Sequence, residues 1–171
     1  MIGDQTAELQ APDLIVPIIG YRVWRIDRGT LRSRHSGMAW HGGRAEAACV
    51  PRRGHFGRRG RGTQHPEPAP WAACSCGIYA FSEPFPRWSF WWPTVPGVAV
   101  FWGRVEVHNS GIRGQYAQTV ALGLPPRPML AERRQVLKIG RRMGVPAVPV
   151  EDLEAEAMLH GAPVPRSLVP G

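Results

Sequence analysis

The sequence predicts an α+β fold, with a β-rich body that contains hairpins and a zinc-fastened loop, followed by two C-terminal helices. Glycine and proline are abundant, with 20 and 18 of the 171 residues, and this favours turns and short strands over long helices. Before residue 124, apolar and polar residues alternate in several short segments, as in half-buried strands. Beyond that point, two segments carry the start and stop signals of helices.

The length of the chain favours a single domain. At 171 residues it can bury a sizeable core without help from a metal. We expect residues 1–17 to be a loose N-terminal segment and residues 18–124 to be the β-rich, metal-binding body. Residues 125–161 are expected to form two helices packed on the body, and residues 162–171 a tail.

The first predicted hairpin joins two basic segments. Tyr21–Ile26 has the composition of a strand, Asp27–Gly29 is a turn signal, and residues 30–34 form the returning arm. The outer face of this hairpin is predicted to be basic and to carry Arg22, Arg25, Arg32 and Arg34.

Residues 51–70 have a different composition, in which arginine alternates with glycine and three prolines follow. Such a segment buries too little apolar surface to offset the entropy of ordering it, so we expect a mobile loop. Residues 84–97 mix four prolines with aromatic side chains and predict an irregular aromatic strip. Since Trp88, Trp91 and Trp92 are crowded there, we expect part of the strip to be exposed.

A second hairpin is predicted from Val98 to Leu122. Residues 98–107 form its first arm, residues 108–111 supply the turn, and residues 112–122 return. Two helices follow, over Leu130–Met143 with Gly144 behind it and over Pro149–His160 with Gly161 behind it.

The strongest chemical feature is a group of metal-binding residue types. The only three cysteines, Cys49, Cys74 and Cys76, lie within 28 residues of one another, and His65 lies between them. Thiolate and imidazole are the ligands that tetrahedral zinc prefers, and Gly77 directly after the second cysteine suits a zinc knuckle. We therefore predict a Zn²⁺ site made of Cys49, His65, Cys74 and Cys76 that fastens the loop at its base.

Four other interpretations of these residues stay open. His55 competes with His65 as the imidazole ligand, and an iron–sulfur cluster competes with zinc. The cysteines could also be buried free thiols beside an unrelated histidine. His65-Pro66-Glu67 followed by cysteines is also similar to the zinc nucleobase deaminases, which would make Glu67 an acid–base group. However, the cysteine spacing differs from that motif, no proline directly precedes Cys74, and a four-ligand shell leaves no open position for catalysis.

The charge of the chain points to a polyanionic partner. The net charge is +8, and all but one of the 21 cationic side chains are arginine, Lys138 being the exception. Part of this excess has a second explanation in GC-rich coding. The leading function is non-catalytic recognition of nucleic acid, through the loop residues Arg52, Arg53, Arg58, Arg59 and Arg61 and the hairpin residues Arg32 and Arg34. The alternatives are a protein-interaction subunit that docks through Trp88, Trp91 and Trp92, and, third, a zinc-dependent hydrolase or deaminase.

Membrane and export signals are missing from the sequence. No segment approaches the about 18 consecutive apolar residues that span a bilayer, and the start of the chain does not have the basic, apolar pattern of a signal peptide. We expect a cytoplasmic protein with reduced thiols and no small-molecule cofactor.

Several short strings in the chain resemble a family. These are Gly20-Tyr-Arg-Val-Trp24, Cys49, His65, Cys74-Ser-Cys-Gly-Ile-Tyr-Ala80 and Trp102-Gly-Arg-Val-Glu-Val-His108. Over residues 20–160 the chain resembles a group of small uncharacterised proteins of actinobacterial type. The resemblance implies a cytosolic protein whose cysteine and histidine residues belong to one site, and it implies no activity. This chain is longer and richer in arginine at residues 52–62.

Overall fold

The computed structural model of the chain describes residues 8–9, 16–34, 36–49, 65, 67–84 and 93–170. Eight strands and two α-helices follow in the order β1 (Glu8–Leu9), β2 (Ile18–Asp27), β3 (Thr30–Ser33), β4 (Arg44–Glu46), β5 (Ile78–Phe81), β6 (Thr94–His108), β7 (Gly111–Leu124), α1 (Leu130–Met143), β8 (Ala147–Pro149) and α2 (Leu153–Ala157). Short 3₁₀ turns occupy Val150–Asp152 and Arg166–Leu168.

The long β6–β7 hairpin is the centre of a single sheet. Besides pairing with each other, β6 pairs with β2, and β7 pairs with β5, β4 and β8. β5 also meets β2 through the pair Tyr21↔Phe81, so the pairings β6–β2–β5–β7 return to β6 and close a circuit. All these pairings are antiparallel except that of β7 with β8.

The alternation of side chains along the strands builds a cluster of buried apolar residues on each face of the sheet. In β2, Ile18 and Trp24 enter one cluster, whereas Ile19 and Tyr21 enter the other, as the two-residue period of a strand requires. Helix α1 adds Val136 and Ile139 to the first cluster, and helix α2 adds Leu153 and Ala157 to the second. The two helices therefore cover different faces.

The predicted α+β fold class is confirmed, with a β-rich body and two C-terminal helices. Both predicted hairpins are present as β2–β3 and β6–β7. Helix α1 has the predicted bounds, Leu130–Met143.

The second predicted helix, Pro149–His160, is wrong in its extent. Only Leu153–Ala157 is α-helical. Before it, Ala147–Pro149 pairs in parallel with β7, and Val150–Asp152 forms a 3₁₀ turn. The physical reason lies at Pro149. Val148 before it favours extended backbone, and Pro149 itself is extended, with φ −49° and ψ 146°, so the strand runs through Pro149 and no helix begins there.

The prediction of an irregular segment over residues 84–97 is wrong at its C-terminal end. β6 begins at Thr94 and pairs with β2 from Arg25↔Thr94 onward. The pairing partner overrides the effect of Pro96 here. Trp88, Trp91 and Trp92 lie outside the described residues.

The predicted outer face of the first hairpin is correct for Arg25 and Arg32 but wrong for Arg22. Arg25 and Arg32 are cross-strand neighbours, whereas Arg22 shares the inward face of Trp24. The Arg22 guanidinium donates to Ser33 Oγ at 3.1 Å and lies 5.1 Å from the centre of the Trp40 ring. Its burial lowers the pKa of Arg22 to about 10.

Both ends of the described chain contact the sheet. Within the segment expected to be loose, β1 pairs with β6 at Glu8↔Glu106. In the segment expected to be a tail, Ala162 exchanges backbone hydrogen bonds with Pro17 and Ile19, and Val164 is buried in the first cluster. No helix in the described ranges is long and apolar enough to cross a membrane.

Candidate metal centre

Four side chains from three separate parts of the chain meet beside β5. Cys49 follows β4, and the backbone N–H of Ala47 donates to the carbonyl of Gln115 in β7 at 2.7 Å. Cys74 and Cys76 lie in the turn that leads into β5, where the Cys74 N–H donates to the Trp71 carbonyl at 2.8 Å. His65 completes the group and is buried, with 8% of its surface exposed.

The distances among these four residues suit one small ion. One potential ligand atom from each of Cys49, His65, Cys74 and Cys76 lies within 4.8 Å of each of the others. The sulfurs of Cys49 and Cys74 are 3.8 Å apart, and His65 Nε2 is 3.2 Å from the Cys76 sulfur. A tetrahedral zinc ion with Zn–S bonds of about 2.3 Å separates two sulfurs by about 3.8 Å. The four residues could therefore hold a metal ion.

The ring of His65 is oriented by groups around it. Its Nδ1 lies 2.8 Å from the carbonyl oxygen of Glu67, and since a carbonyl can only accept, the proton belongs on Nδ1. Nε2 is then left with its lone pair facing the thiols, as a metal ligand requires. The Trp71 ring packs on the imidazole with 4.6 Å between ring centres.

The pKa values of the two thiols in the turn are shifted in opposite directions from the ordinary value of a thiol. The pKa of Cys74 is lowered to about 7, chiefly because the backbone N–H of Cys76 donates to its sulfur. The pKa of Cys76 is raised, chiefly because the sulfur is withdrawn from solvent. Since metals bind the thiolate, Cys74 is better prepared than Cys76 to bind a metal at neutral pH.

A buried ion pair from the central hairpin supports the turn. Arg113 of β7 pairs with Glu106 of β6, and both side chains are almost fully buried. The same guanidinium donates to the carbonyls of Cys74 and Trp71, the latter at 3.3 Å. The two carbonyls belong to the segment that carries two of the four ligands, so Arg113 fixes that segment against the sheet.

Gly77 lets the chain pass close to this arginine. Its φ of +128° is reached readily only by glycine. A Cβ at this position would collide with the Arg113 side chain and would lie 3.2 Å from Pro70 Cβ. On the other side of the turn, the Tyr79 hydroxyl donates to the Ser75 carbonyl at 2.9 Å.

The ion pair was not predictable from the sequence pattern. The alternation of Val105 and Val107 with Arg104 and Glu106 places Glu106 on the outer face, but Glu106 is only 2% exposed. The pairing of β6 with β7 shifts register between Trp102 and Val105, and the segment before β5 covers Glu106 through Arg113. A carboxylate and an arginine at cross-strand positions, Glu106↔Arg113, were the available signal.

The structure brings together the four predicted ligands and leaves other predicted residues elsewhere. Arg34 is exposed beside the end of β3, and Arg32 binds Asp27 at 3.0 Å on the same hairpin. Glu67 is exposed, and its backbone carbonyl contacts His65. The predicted nucleic-acid residues of the loop, Arg52, Arg53, Arg58, Arg59 and Arg61, lie outside the described residues, as does His55.

Comparison with known proteins gives no match. No protein-family model, curated protein or solved structure matches this chain.

Proposed function

We propose that this protein is a non-catalytic recognition protein in which a structural Zn²⁺ ion is bound by Cys49, His65, Cys74 and Cys76. The observation that carries the proposal is the approach of one ligand atom from each of the four residues to within 4.8 Å of the other three. Zinc is the metal of choice for this ligand set because three thiolates and an imidazole match its preference for sulfur and nitrogen in a tetrahedral shell.

A structural role fits the site better than catalysis. Four protein ligands fill a tetrahedral shell, whereas a catalytic zinc ion keeps one position for water or substrate. Glu67, the only candidate acid–base residue that the sequence motif offers beside the site, is exposed to solvent and contributes its backbone carbonyl to the orientation of His65. These features argue against the hydrolase and deaminase alternatives.

The proposed partner is a nucleic acid. Two of the four ligands, Cys49 and His65, flank the arginine-rich segment directly, with 15 residues between them. A metal ion that joins its two ends would hold this segment on the body, close to β5 and β7. The arginines of the segment, together with Arg34 on the hairpin, would then contact phosphates and stack on bases.

Metal analysis of the purified protein tests the zinc site. We expect one zinc ion per chain, no reactive thiols in the native protein, and three after chelation. Cys76→Ser should lower the zinc content well below one, since it removes a ligand, while Ser75→Ala in the same turn should leave it at one. A metal-free native protein with three freely reactive thiols would show that the proposed site is wrong.

Binding of fluorescent DNA and RNA oligonucleotides tests the partner. Replacing Arg58, Arg59 and Arg61 by alanine should weaken binding and lower the salt dependence, by about 0.7–0.9 in the slope of log K against log [salt] for each phosphate that is no longer neutralised. The zinc content should stay at one per chain. If the chain bound no nucleic acid at low salt, a protein partner docking through Trp88, Trp91 and Trp92 would become the leading proposal.

A further inference from the structure

A basic cleft lies between the β2–β3 turn and helix α1, away from the cysteine cluster. It has a volume of about 400 Å³ and is open to solvent. Four of the residues that line it are cations, namely Arg28, Arg134, Lys138 and Arg142, and no acidic residue lines it. The cleft is therefore a concave surface with a high density of positive charge, and the electrostatic potentials of its four cations add together there.

The helix presents its cations as a regular row. Arg134, Lys138 and Arg142 are four residues apart, which places them on one face of α1 with about 6 Å of helix axis between neighbours. On the opposite face of the helix Val136 packs into the core, and Ile139, at the edge of the row, is buried in the core and also lines the cleft. The burial of these two residues sets the rotation of the helix about its axis. The face that carries the row of cations therefore points toward the cleft.

The hairpin turn forms the other wall. Arg142 donates to the Gly29 carbonyl and so joins the helix to the turn. Arg28, next to Gly29, is exposed with a φ of +47°, a conformation that is uncommon outside glycine. The turn thus adds a fourth cation opposite the row on the helix.

Internal acidic groups do not neutralise this charge. Among the described residues, none of the four cations takes part in an ion pair, and the neighbouring Asp27 is engaged by Arg32 at 3.0 Å. The acidic helix α2, which carries Glu154 and Glu156, packs into the cluster on the other face of the sheet. The positive potential of the cleft is left for an external anion.

We propose that this cleft binds the phosphodiester backbone of a nucleic acid strand. The inference rests on the proposed nucleic-acid recognition and assigns part of it to residues outside the arginine-rich loop. A row of cations with a constant spacing suits a linear polyanion with repeated phosphates better than a single phosphate group. A membrane surface fits less well, because the cations line a concave wall rather than flank an exposed apolar stripe.

Charge reversal in the cleft tests the proposal. The variant Arg134→Glu/Lys138→Glu changes two exposed side chains for which the structure shows no hydrogen bond. The control Arg127→Glu/Arg166→Glu makes the same change in net charge at two exposed positions outside the cleft. Binding of labelled single-stranded and double-stranded oligonucleotides is measured by fluorescence anisotropy over a series of salt concentrations, with circular dichroism and zinc content as checks on folding.

We expect the cleft variant to bind at least tenfold more weakly than the control. Its slope of log K against log [salt] should be smaller by about 1.5, as expected when two phosphates are no longer neutralised. If the cleft variant bound like the control, the cleft proposal would be wrong, while a remaining dependence on Arg58, Arg59 and Arg61 would leave the proposed function standing. If the wild-type chain bound no oligonucleotide, both would be wrong.

Two further probes identify the anion. Inorganic pyrophosphate at millimolar concentration should compete weakly with an oligonucleotide, and vesicles with phosphatidylserine should bind the cleft variant and the control equally. Strong competition by pyrophosphate would assign the cleft to a small phosphate ligand, and vesicle binding that disappears only in the cleft variant would assign it to a membrane. Either result would overturn the nucleic-acid proposal for this cleft.

Discussion

At the scale of single residues, Cys74 and Cys76 show how one short turn can give two thiols different chemistry. They are two positions apart, but a backbone N–H is the largest influence on the sulfur of Cys74, whereas withdrawal from water outweighs the backbone hydrogen bond to the sulfur of Cys76. A hydrogen bond to the charged form lowers the pKa, and desolvation raises it. The turn therefore favours the thiolate form of Cys74 before any metal binds, whereas Cys76 would ionise only on binding the proposed metal.

The first prediction concerns the reactivity of these thiols in metal-free protein. Since the thiolate is the nucleophile, alkylation of Cys74 by iodoacetamide should be half-maximal near pH 7, slow down below it, and reach its plateau above it. Cys76 should reach half-maximal alkylation only at a pH above the ordinary value for a thiol. Tandem mass spectrometry of the peptide that contains both residues gives the two rates. Zinc-loaded protein is the control and should react slowly throughout, and faster alkylation of Cys76 than of Cys74 at pH 7 would contradict the prediction.

The grouping of the four candidate ligands could be predicted from the sequence, but the burial of the residues that support them could not. Cys49, His65, Cys74 and Cys76 are recognisable because the chain has only three cysteines, which are grouped along the chain with a histidine between them. Glu106 and Arg113 are ordinary surface types, and their burial depends on a segment more than thirty residues away in sequence that folds over them. Arg22 was misplaced for a different reason, since the two-residue strand period, which can be read from the sequence, sets it beside Trp24 regardless of its charge.

At the scale of elements, the β6–β7 hairpin supports the candidate metal centre. Its strand β7 pairs with β4, which precedes Cys49, and with β5, which follows Cys74 and Cys76. Arg113 of its ion pair also donates to the carbonyls of Trp71 and Cys74. Sequence alternation was enough to predict this hairpin and α1, because both are long and regular. It was not enough for β5, β8 or α2, which are short and whose backbone is set by the neighbour they pair with or pack against.

The second prediction tests the ion pair that joins hairpin and turn. Glu106→Gln leaves the Arg113 guanidinium buried without its counter-charge, which should lower the free energy of unfolding by about 3 kcal/mol. Urea denaturation of the zinc-loaded protein measures the loss. Glu46→Gln on β4 is the matched control because it removes the same charge at an exposed site, and it should change stability by less than about 0.5 kcal/mol. Equal stability of the two variants would show that the pair does not support the fold.

At the scale of the whole molecule, two separate features would stabilise the chain: the sheet with its apolar clusters, and the proposed metal site. The two buried clusters lie on the sheet and include residues from both helices, so the body has an apolar core that does not involve the four ligands. A bound ion would connect Cys49 to His65 and thereby close the 15-residue segment between them. Loss of the metal should therefore release this segment while the sheet stays folded.

The third prediction follows from that division. Chelation would remove the cross-link between the two ends of a loop of about 15 residues, which increases the conformational freedom of the segment, so the segment should become more accessible. Trypsin should then cut much faster at Arg52, Arg53, Arg58, Arg59 and Arg61, while exchange of the β6–β7 amide hydrogens should stay slow. The exposed Arg166, which is remote in sequence from the ligands, is an internal control whose cleavage should not change. Loss of amide protection throughout the sheet on chelation would mean that the metal is required for the whole fold, and unchanged cleavage would mean that no metal closes the segment.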